Sequence, residues 1–154
     1  MLRAFIAIKL SDELKGHIGE VQAELKRRAF GRDGLGWVRP EGVHLTLRFL
    51  GDIAEEQVGA LGSLLRDVAA GMMPFVLEAR GIGAFPNPRA PRVIWLGLHG
   101  TPESMASLRR MHARVEGGVV GLGFPREPRE FTAHLTLARV RDRQSGAALA
   151  KVLE

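Results

Sequence analysis

His44 and Thr46 stand two residues apart in His44-Leu45-Thr46-Leu47, and the same four residues recur as His134-Leu135-Thr136-Leu137. The 154-residue chain holds five histidines, and two of them open this tetrapeptide. In an extended strand alternate side chains share a face, so each His lies beside its Thr while the leucines turn the other way, into a core. An imidazole titrates near pH 6.5 in about the ordinary case, so of two copies one can be neutral and the other charged near neutrality. The neutral ring takes a proton from water, and the charged ring gives one to a departing oxygen. Threonine hydroxyls donate hydrogen bonds to the non-bridging oxygens of a phosphate. Together His44, Thr46, His134 and Thr136 suffice for in-line attack on a phosphodiester without a metal. A single H-x-T reads as a half-buried polar pair on a strand; two copies at matching positions, among neighbours that differ, point to a site.

Metal chemistry is not expected. There is no cysteine, no H-E-x-x-H and no carboxylate next to either histidine. No cofactor is expected either. His17, His99 and His112 have no histidine counterpart and read as surface or packing residues.

The elements that must hold the tetrapeptides follow from periodicity. RAFIAIKL (3–10) reads as a strand, and Ser11-Asp12-Glu13 caps a helix whose Leu14, Ile18, Val21 and Leu25 recur at helical spacing. Residues 31–36 read as a loop before the first HLTL strand. A helix follows from 55 to about 70, then strands over 75–84 and 92–99 separated by the turn Asn87-Pro88-Arg89-Ala90-Pro91. Thr101-Pro102-Glu103 opens a helix expected to end near Glu116. A Gly- and Pro-rich connection leads to the second HLTL strand, and residues 145–154 are a short helix candidate.

Shifting the chain by 90 residues, 134 less 44, lays Phe5-Ile6-Ala7-Ile8 on Trp95-Leu96-Gly97-Leu98. Ser11 then falls on Thr101, Glu13 on Glu103, and Ile18, Val21 and Leu25 on Leu108, Met111 and Val115. The register needs no gap from the first strand to the second HLTL. The expected organisation is a single domain, 1–154, built from two pseudo-symmetric lobes about a central cleft. Its class is α+β, with two small, mainly antiparallel sheets flanked by helices.

Composition fits an ordinary globular chain: 45% hydrophobic and 25% charged residues. No run of eighteen apolar residues and no signal-peptide pattern is found, so a cytoplasmic location and no membrane partner are expected. The net charge is +5, and arginine outnumbers lysine 18 to 4. Arginine forks suit phosphate and stack on bases, which points to an anionic or nucleic-acid ligand; a general Arg/Gly/Ala bias in composition is the other reading.

The paired HLTL tetrapeptides at 44–47 and 134–137 resemble the two signature motifs of the 2H phosphoesterase superfamily. RAFIAIKLSDEL (3–14), WVRPEGVHLTLRFLGD (37–52), FPNPRAPRVIWLGL (85–98) and AHLTLAR (133–139) are similar to one branch of it, the bacterial and archaeal RNA 2′,3′-cyclic phosphodiesterases, historically named 2′-5′ RNA ligases. The resemblance spans nearly the whole chain. It implies a bilobal fold and metal-independent opening of a terminal 2′,3′-cyclic phosphate to a 2′-phosphate. It further implies His44 as the proton donor to the 3′ oxygen and His134 as the proton acceptor from water. RNA ends or nucleotides with a cyclic phosphate are the implied partners, and a monomer is expected. A 2′-5′ ligase acting on tRNA halves is the same chemistry reversed, and a non-catalytic nucleotide- or RNA-binding module is the alternative of a different class.

Substrate-binding residues are less sharply marked. Strand alternation puts Arg48 on the face of His44 and puts Arg139 on the opposite face from His134, whereas the resemblance favours the arginine of HLTLAR. Arg139 therefore serves only if its strand bends or ends near Ala138, and Arg48 is the fallback. In the first strand Ile6, Ile8 and Leu10 read as core, which leaves Phe5 on the other face as a stacking surface for a base, with its repeat mate Trp95 on the opposite wall. For both aromatics the alternative is plain packing.

Overall fold

The computed structural model describes residues 1–28 and 34–153. The chain runs β1 (Leu2–Ile8), α1 (Asp12–Arg28), β2 (Leu35–Trp37), a 3₁₀ turn (Pro40–Gly42), β3 (Leu45–Ile53), α2 (Gln57–Ala70), β4 (Glu78–Phe85), β5 (Val93–His99), α3 (Pro102–Gly121), β6 (His134–Val140) and α4 (Arg143–Leu153). The class is α+β, with β1 paired to β3 in one antiparallel sheet and β2-β6-β5-β4 forming a second.

The repeat is written in hydrogen bonds as well as letters. Ser11 Oγ accepts from the Leu14 amide at 3.2 Å, capping α1. Thr101 Oγ1 accepts from the Ser104 amide at 3.1 Å, capping α3. Each pair is the other shifted by 90 residues, and each satisfies an amide that the first helical turn leaves without a partner.

Two expectations change. Helix α3 continues past Glu116 to Gly121. Gly117 and Gly118 do not stop it, because Val115 and Val119 stay buried and Gly118 lets α3 approach α2. A Cβ at 118 would come within 2.2 Å of Leu64 Cδ1. The stop comes at Gly123, whose φ of +99° is costly for any residue with a Cβ. There the Gly123 amide bonds the Val120 carbonyl at 3.0 Å and the Phe124 amide bonds Val119 at 3.2 Å, the paired closure of a Schellman end.

The second change is β2. Of the expected loop 31–36, residues 31–33 lie outside the described residues, Gly34 is a turn, and Leu35-Gly36 begin a strand. Three residues are too few for alternation to show in sequence. Pairing with β6 makes them a strand, with Leu35, Gly36 and Trp37 opposite Val140, Arg139 and Ala138.

The chain falls into two compact units that interleave in sequence. Unit 1 holds Met1–Ile8, Thr46–Glu78 and His99–Thr132; unit 2 holds Lys9–Leu45, Ala79–Leu98 and Ala133–Glu154. Unit boundaries do not follow repeat boundaries. Unit 1 combines β1 and β3 of the first repeat with α3 of the second, and unit 2 combines β5 and β6 of the second with α1 of the first.

The bond between helix and strand within each unit is again repeated. In unit 2 the buried Gln22 of α1 donates to the carbonyls of Val38, at 2.6 Å, and Leu137, at 3.1 Å. In unit 1 the ring of His112, 90 residues beyond Gln22, donates to the carbonyl of Leu47, 90 residues before Leu137.

Candidate active site

Strand β6 carries the second tetrapeptide. Leu135 and Leu137 are fully buried, and His134 and Thr136 are half-buried. In unit 2, β5 and β6 run antiparallel, with Gly97 opposite His134, Leu96 opposite Leu135 and Trp95 opposite Thr136. Then the register slips. Ile94 faces Ala138 and Val93 faces Arg139, so β6 carries one extra residue, Leu137, against a continuous β5.

This bulge settles where Arg139 points. Directly paired residues share a face of a sheet. On β5, Val93, Trp95 and Gly97 alternate with the buried Ile94, Leu96 and Leu98. Their partners Arg139, Thr136 and His134 therefore lie on the face opposite the core. Leu137 and Ala138 both turn into the core, at 0% exposure each, and Arg139 emerges exposed. Simple alternation would have put Arg139 with the leucines; the inserted residue re-aims it, a known use of bulges beside sites.

Aromatic rings surround His134. Phe85 at the end of β4 meets the imidazole edge-on at 5.0 Å between centroids, and Trp95 lies 6.4 Å from it and 5.3 Å from Phe85. Trp95 is half-buried, and a Cβ at residue 83 would come within 2.2 Å of its ring, so Gly83 is the floor on which the indole rests. Its buried Nε1 has no hydrogen-bond partner among the described residues. Phe85 carries no titratable group and was not marked by the sequence reading; its only signal is its place in FPNPRAPRVIWLGL.

The first tetrapeptide has the same burial sequence. From Leu45 to Leu50 the residues run buried, half-buried, buried, buried, exposed, half-buried, as they do from Leu135 to Val140. His44 precedes β3 by one residue and is half-buried between Val43 and Leu45, both 2% exposed. Both histidines belong to unit 2, whereas Thr46 begins a segment of unit 1.

Arg48 does not sit on the face that alternation assigns it. It is 5% exposed, its Nε lies 3.1 Å from Glu116 Oε2, and its Nη2 donates to the Pro125 carbonyl. The Nε and Oε2 atoms are close enough to pair as ions without the alignment of a hydrogen bond, and both are buried. The fallback substrate residue is thus a buried structural cation. The residue that alternation overlooked is Phe49, the repeat mate of Arg139. It is 62% exposed, beside Phe5, which is 48% exposed, with ring centroids 6.2 Å apart. Ile6 of β1 is buried as expected, whereas Leu10 lies past the end of the strand.

The other histidines are accounted for locally. His17 lies 3.5 Å from Glu20 on the exposed face of α1, and His99 is exposed. His112 stacks on Phe131 at 4.0 Å, and burial pushes its pKa below the ordinary value against the opposing pull of Glu116. Among the described residues no group of three or more His, Asp or Glu side chains is placed to hold a metal ion. Nor is any helix there long and apolar enough to cross a membrane.

Comparison with known proteins shows the family and the fold. The profile described as LigT like Phosphoesterase matches residues 8–95 and 100–154. An RNA 2′,3′-cyclic phosphodiesterase of Methanothermobacter thermautotrophicus is 36% identical over 152 residues, covering 99% of this chain and 78% of its own. That of Archaeoglobus fulgidus is 36% identical over 140 residues, covering 91% and 73%. Among solved structures, a Thermus thermophilus protein superposes with a TM-score of 0.78 at 30% identity, over 92% of this chain and 75% of its own. E. coli LigT complexed with 3′-AMP gives 0.70 at 27%, over 91% and 74%.

Proposed function

Since the chain belongs to the LigT-like phosphoesterase family, we propose that it opens the terminal 2′,3′-cyclic phosphate of RNA to a 2′-phosphate, without a metal. The observation that carries the reading is the bulge in β6, which gives His134, Thr136 and Arg139 one common face. A proton acceptor, a hydroxyl donor and a cation on one strand face are what an anionic phosphate under attack by water requires.

In the proposed step His134 takes a proton from water as its oxygen attacks phosphorus. The bond from phosphorus to the 3′ oxygen breaks, and His44 delivers a proton to that oxygen. The products are a 2′-phosphomonoester and a free 3′-hydroxyl. Thr46 and Thr136 donate to the non-bridging oxygens, and Arg139 offsets the charge that gathers on them. Phe5 and Phe49 offer the base an exposed aromatic surface, and Trp95 with Phe85 hold the His134 ring.

The test is turnover of cytidine 2′,3′-cyclic phosphate in EDTA, with the product resolved as 2′- or 3′-phosphate. Formation of the 2′-phosphate with chelator present is expected. Binding without turnover would instead make the chain a nucleotide- or RNA-binding module, and loss of activity in EDTA would remove the metal-free step.

A further inference from the structure

A cavity of about 610 Å³ opens in unit 2 at the far end of the β5–β6 ladder, lined by Arg89, Arg92, Arg141, Asp142 and Arg143. Arg89 lies in the β4–β5 turn and Arg92 just before β5, while Arg141 and Asp142 join β6 to Arg143 at the start of α4. All four arginines are exposed, and no ion pair among the described residues engages any of them. Asp142 is the one acid in the lining, and its carboxylate caps α4, accepting from the Ser145 amide at 2.7 Å and from Ser145 Oγ at 3.2 Å. Four guanidinium groups against one carboxylate make a cavity that favours an anion.

Its place on the sheet says which anion. Strand β6 runs from His134 to Val140, about 20 Å at roughly 3.4 Å per residue. Arg139 lies between, on the face of His134. Arg141 lies on that face too: a Cβ at residue 36, the partner of Arg139, would come within 3.0 Å of Arg141 Nε. The Arg141 side chain thus folds back over Gly36 toward Arg139. Cations therefore follow one another from Thr136 through Arg139 and Arg141 to the cavity. A single phosphate fills only one such position; a row of phosphates fills the track.

We propose that this arginine track binds the phosphodiester backbone of single-stranded RNA upstream of the end held at His134. The chain is then selective for oligonucleotides over mononucleotides. This rests on the function proposed above for His134, but the cavity itself does not take part in the chemistry.

The experiment compares cytidine 2′,3′-cyclic phosphate with an oligoribonucleotide of roughly ten nucleotides ending in the same group. For Arg141→Gln/Arg143→Gln and for Arg89→Gln/Arg92→Gln, KM for the oligonucleotide is expected to rise about tenfold or more, with a shallower dependence on salt. KM and kcat for the mononucleotide should stay at wild-type values. The corresponding lysine pairs keep the charge and should recover most of the effect, which separates a charge track from a folding defect. A second arm follows anisotropy of a labelled oligonucleotide ending in a 3′-phosphate, which binds without turnover. If wild type turns over neither cyclic substrate yet the glutamine pairs weaken this binding, the proposed reaction fails and the track stands. An unchanged KM and unchanged anisotropy for the oligonucleotide, with turnover intact, would overturn the track. So would an equal loss on the mononucleotide, or displacement of the oligonucleotide by pyrophosphate at equal concentration.

Discussion

The two repeats carry the same His and Thr and different residues beside them. Thr46 and Thr136 share a burial pattern, but the next outward residue is Phe49 in one repeat and Arg139 in the other. The first strand of one repeat carries Phe5, and that of the other carries Trp95. The first repeat therefore offers an exposed aromatic pair, Phe5 with Phe49, and the second a cation beside a half-buried indole. A duplicated frame supplies two of everything; under the function proposed above, a substrate with a phosphate at one end and a base at the other would give each copy a different neighbour to its His and Thr. The same contrast is found behind the strands. Arg48 is buried against Glu116 in unit 1, whereas its mate Ala138 needs no partner in unit 2.

The largest effect should come from the residues the repeats share. His44→Ala and His134→Ala are each expected to lower kcat by about 10²-fold or more, the usual scale for acid–base groups. Wild type should show a bell-shaped pH profile in kcat/KM, and each variant should lose one limb of it. If one variant retains near-wild-type turnover, the two copies do not form an acid–base pair and the symmetry is only structural.

Next come the residues in which the repeats differ structurally. Arg48→Met leaves the half-buried Glu116 without its cation and is expected to cost about 1–3 kcal/mol of stability, read by denaturant unfolding. Adding Glu116→Leu should return most of it, because an apolar pair of similar volume replaces a buried ion pair at little net cost. Arg48→Met without loss of stability, but with raised KM, would restore Arg48 to the substrate.

The division of labour between Arg139 and Phe49 is a smaller effect. Arg139→Ala should raise KM about tenfold for every cyclic phosphate, with or without a base, as loss of a charge-assisted contact does. Phe49→Ala should raise KM by a similar factor of about five to ten for nucleoside substrates, through lost stacking, and leave ribose 2′,3′-cyclic phosphate unaffected. Equal losses on the abasic substrate would show that Phe49 shapes β3 rather than receives a base.

Much of this was legible in the letters. The gapless 90-residue register carried the class, the capped helices and the matching burial of both His-x-Thr strands, because each repeat is a local pattern of strand, cap and helix. What alternation missed came from long-range pairing. The β6 bulge exists only against β5, so the outward turn of Arg139 does not show in a strict period of two, and the inward turn of Arg48 shows only through its contacts with Glu116 and Pro125. Strand β2 is three residues long and is defined by its partner. The assignment of α1 to unit 2 and α3 to unit 1 depends on which strand each helix packs, which the order of elements leaves open. Phe49 was within reach: the offset that lays Thr46 on Thr136 also lays Phe49 on Arg139.

The smallest effect tests the repeat where it is most nearly identical, in the side chain that ties helix to strand. Gln22 donates to the Leu137 carbonyl in unit 2, and His112 donates to the Leu47 carbonyl in unit 1. The amide carries no titratable proton, but the imidazole does. Burial lowers the His112 pKa, with Arg48 acting in the same direction; Glu116, the Leu47 carbonyl and Glu127 oppose it. The unfolded chain thus protonates this ring near the ordinary value of about 6.5, and the folded chain only at lower pH. The unfolded state binds the additional proton in that window, so His112 contributes full stability above about pH 6.5 and loses it as pH falls toward the folded pKa. His112→Gln installs the side chain of the other repeat. It should keep the bond to Leu47, lose about 1 kcal/mol at neutral pH with the Phe131 stack, and flatten the decline in Tm between about pH 7 and 5. An equally steep acid decline in His112→Gln would place the proton uptake on another group and leave the two helix ties equivalent.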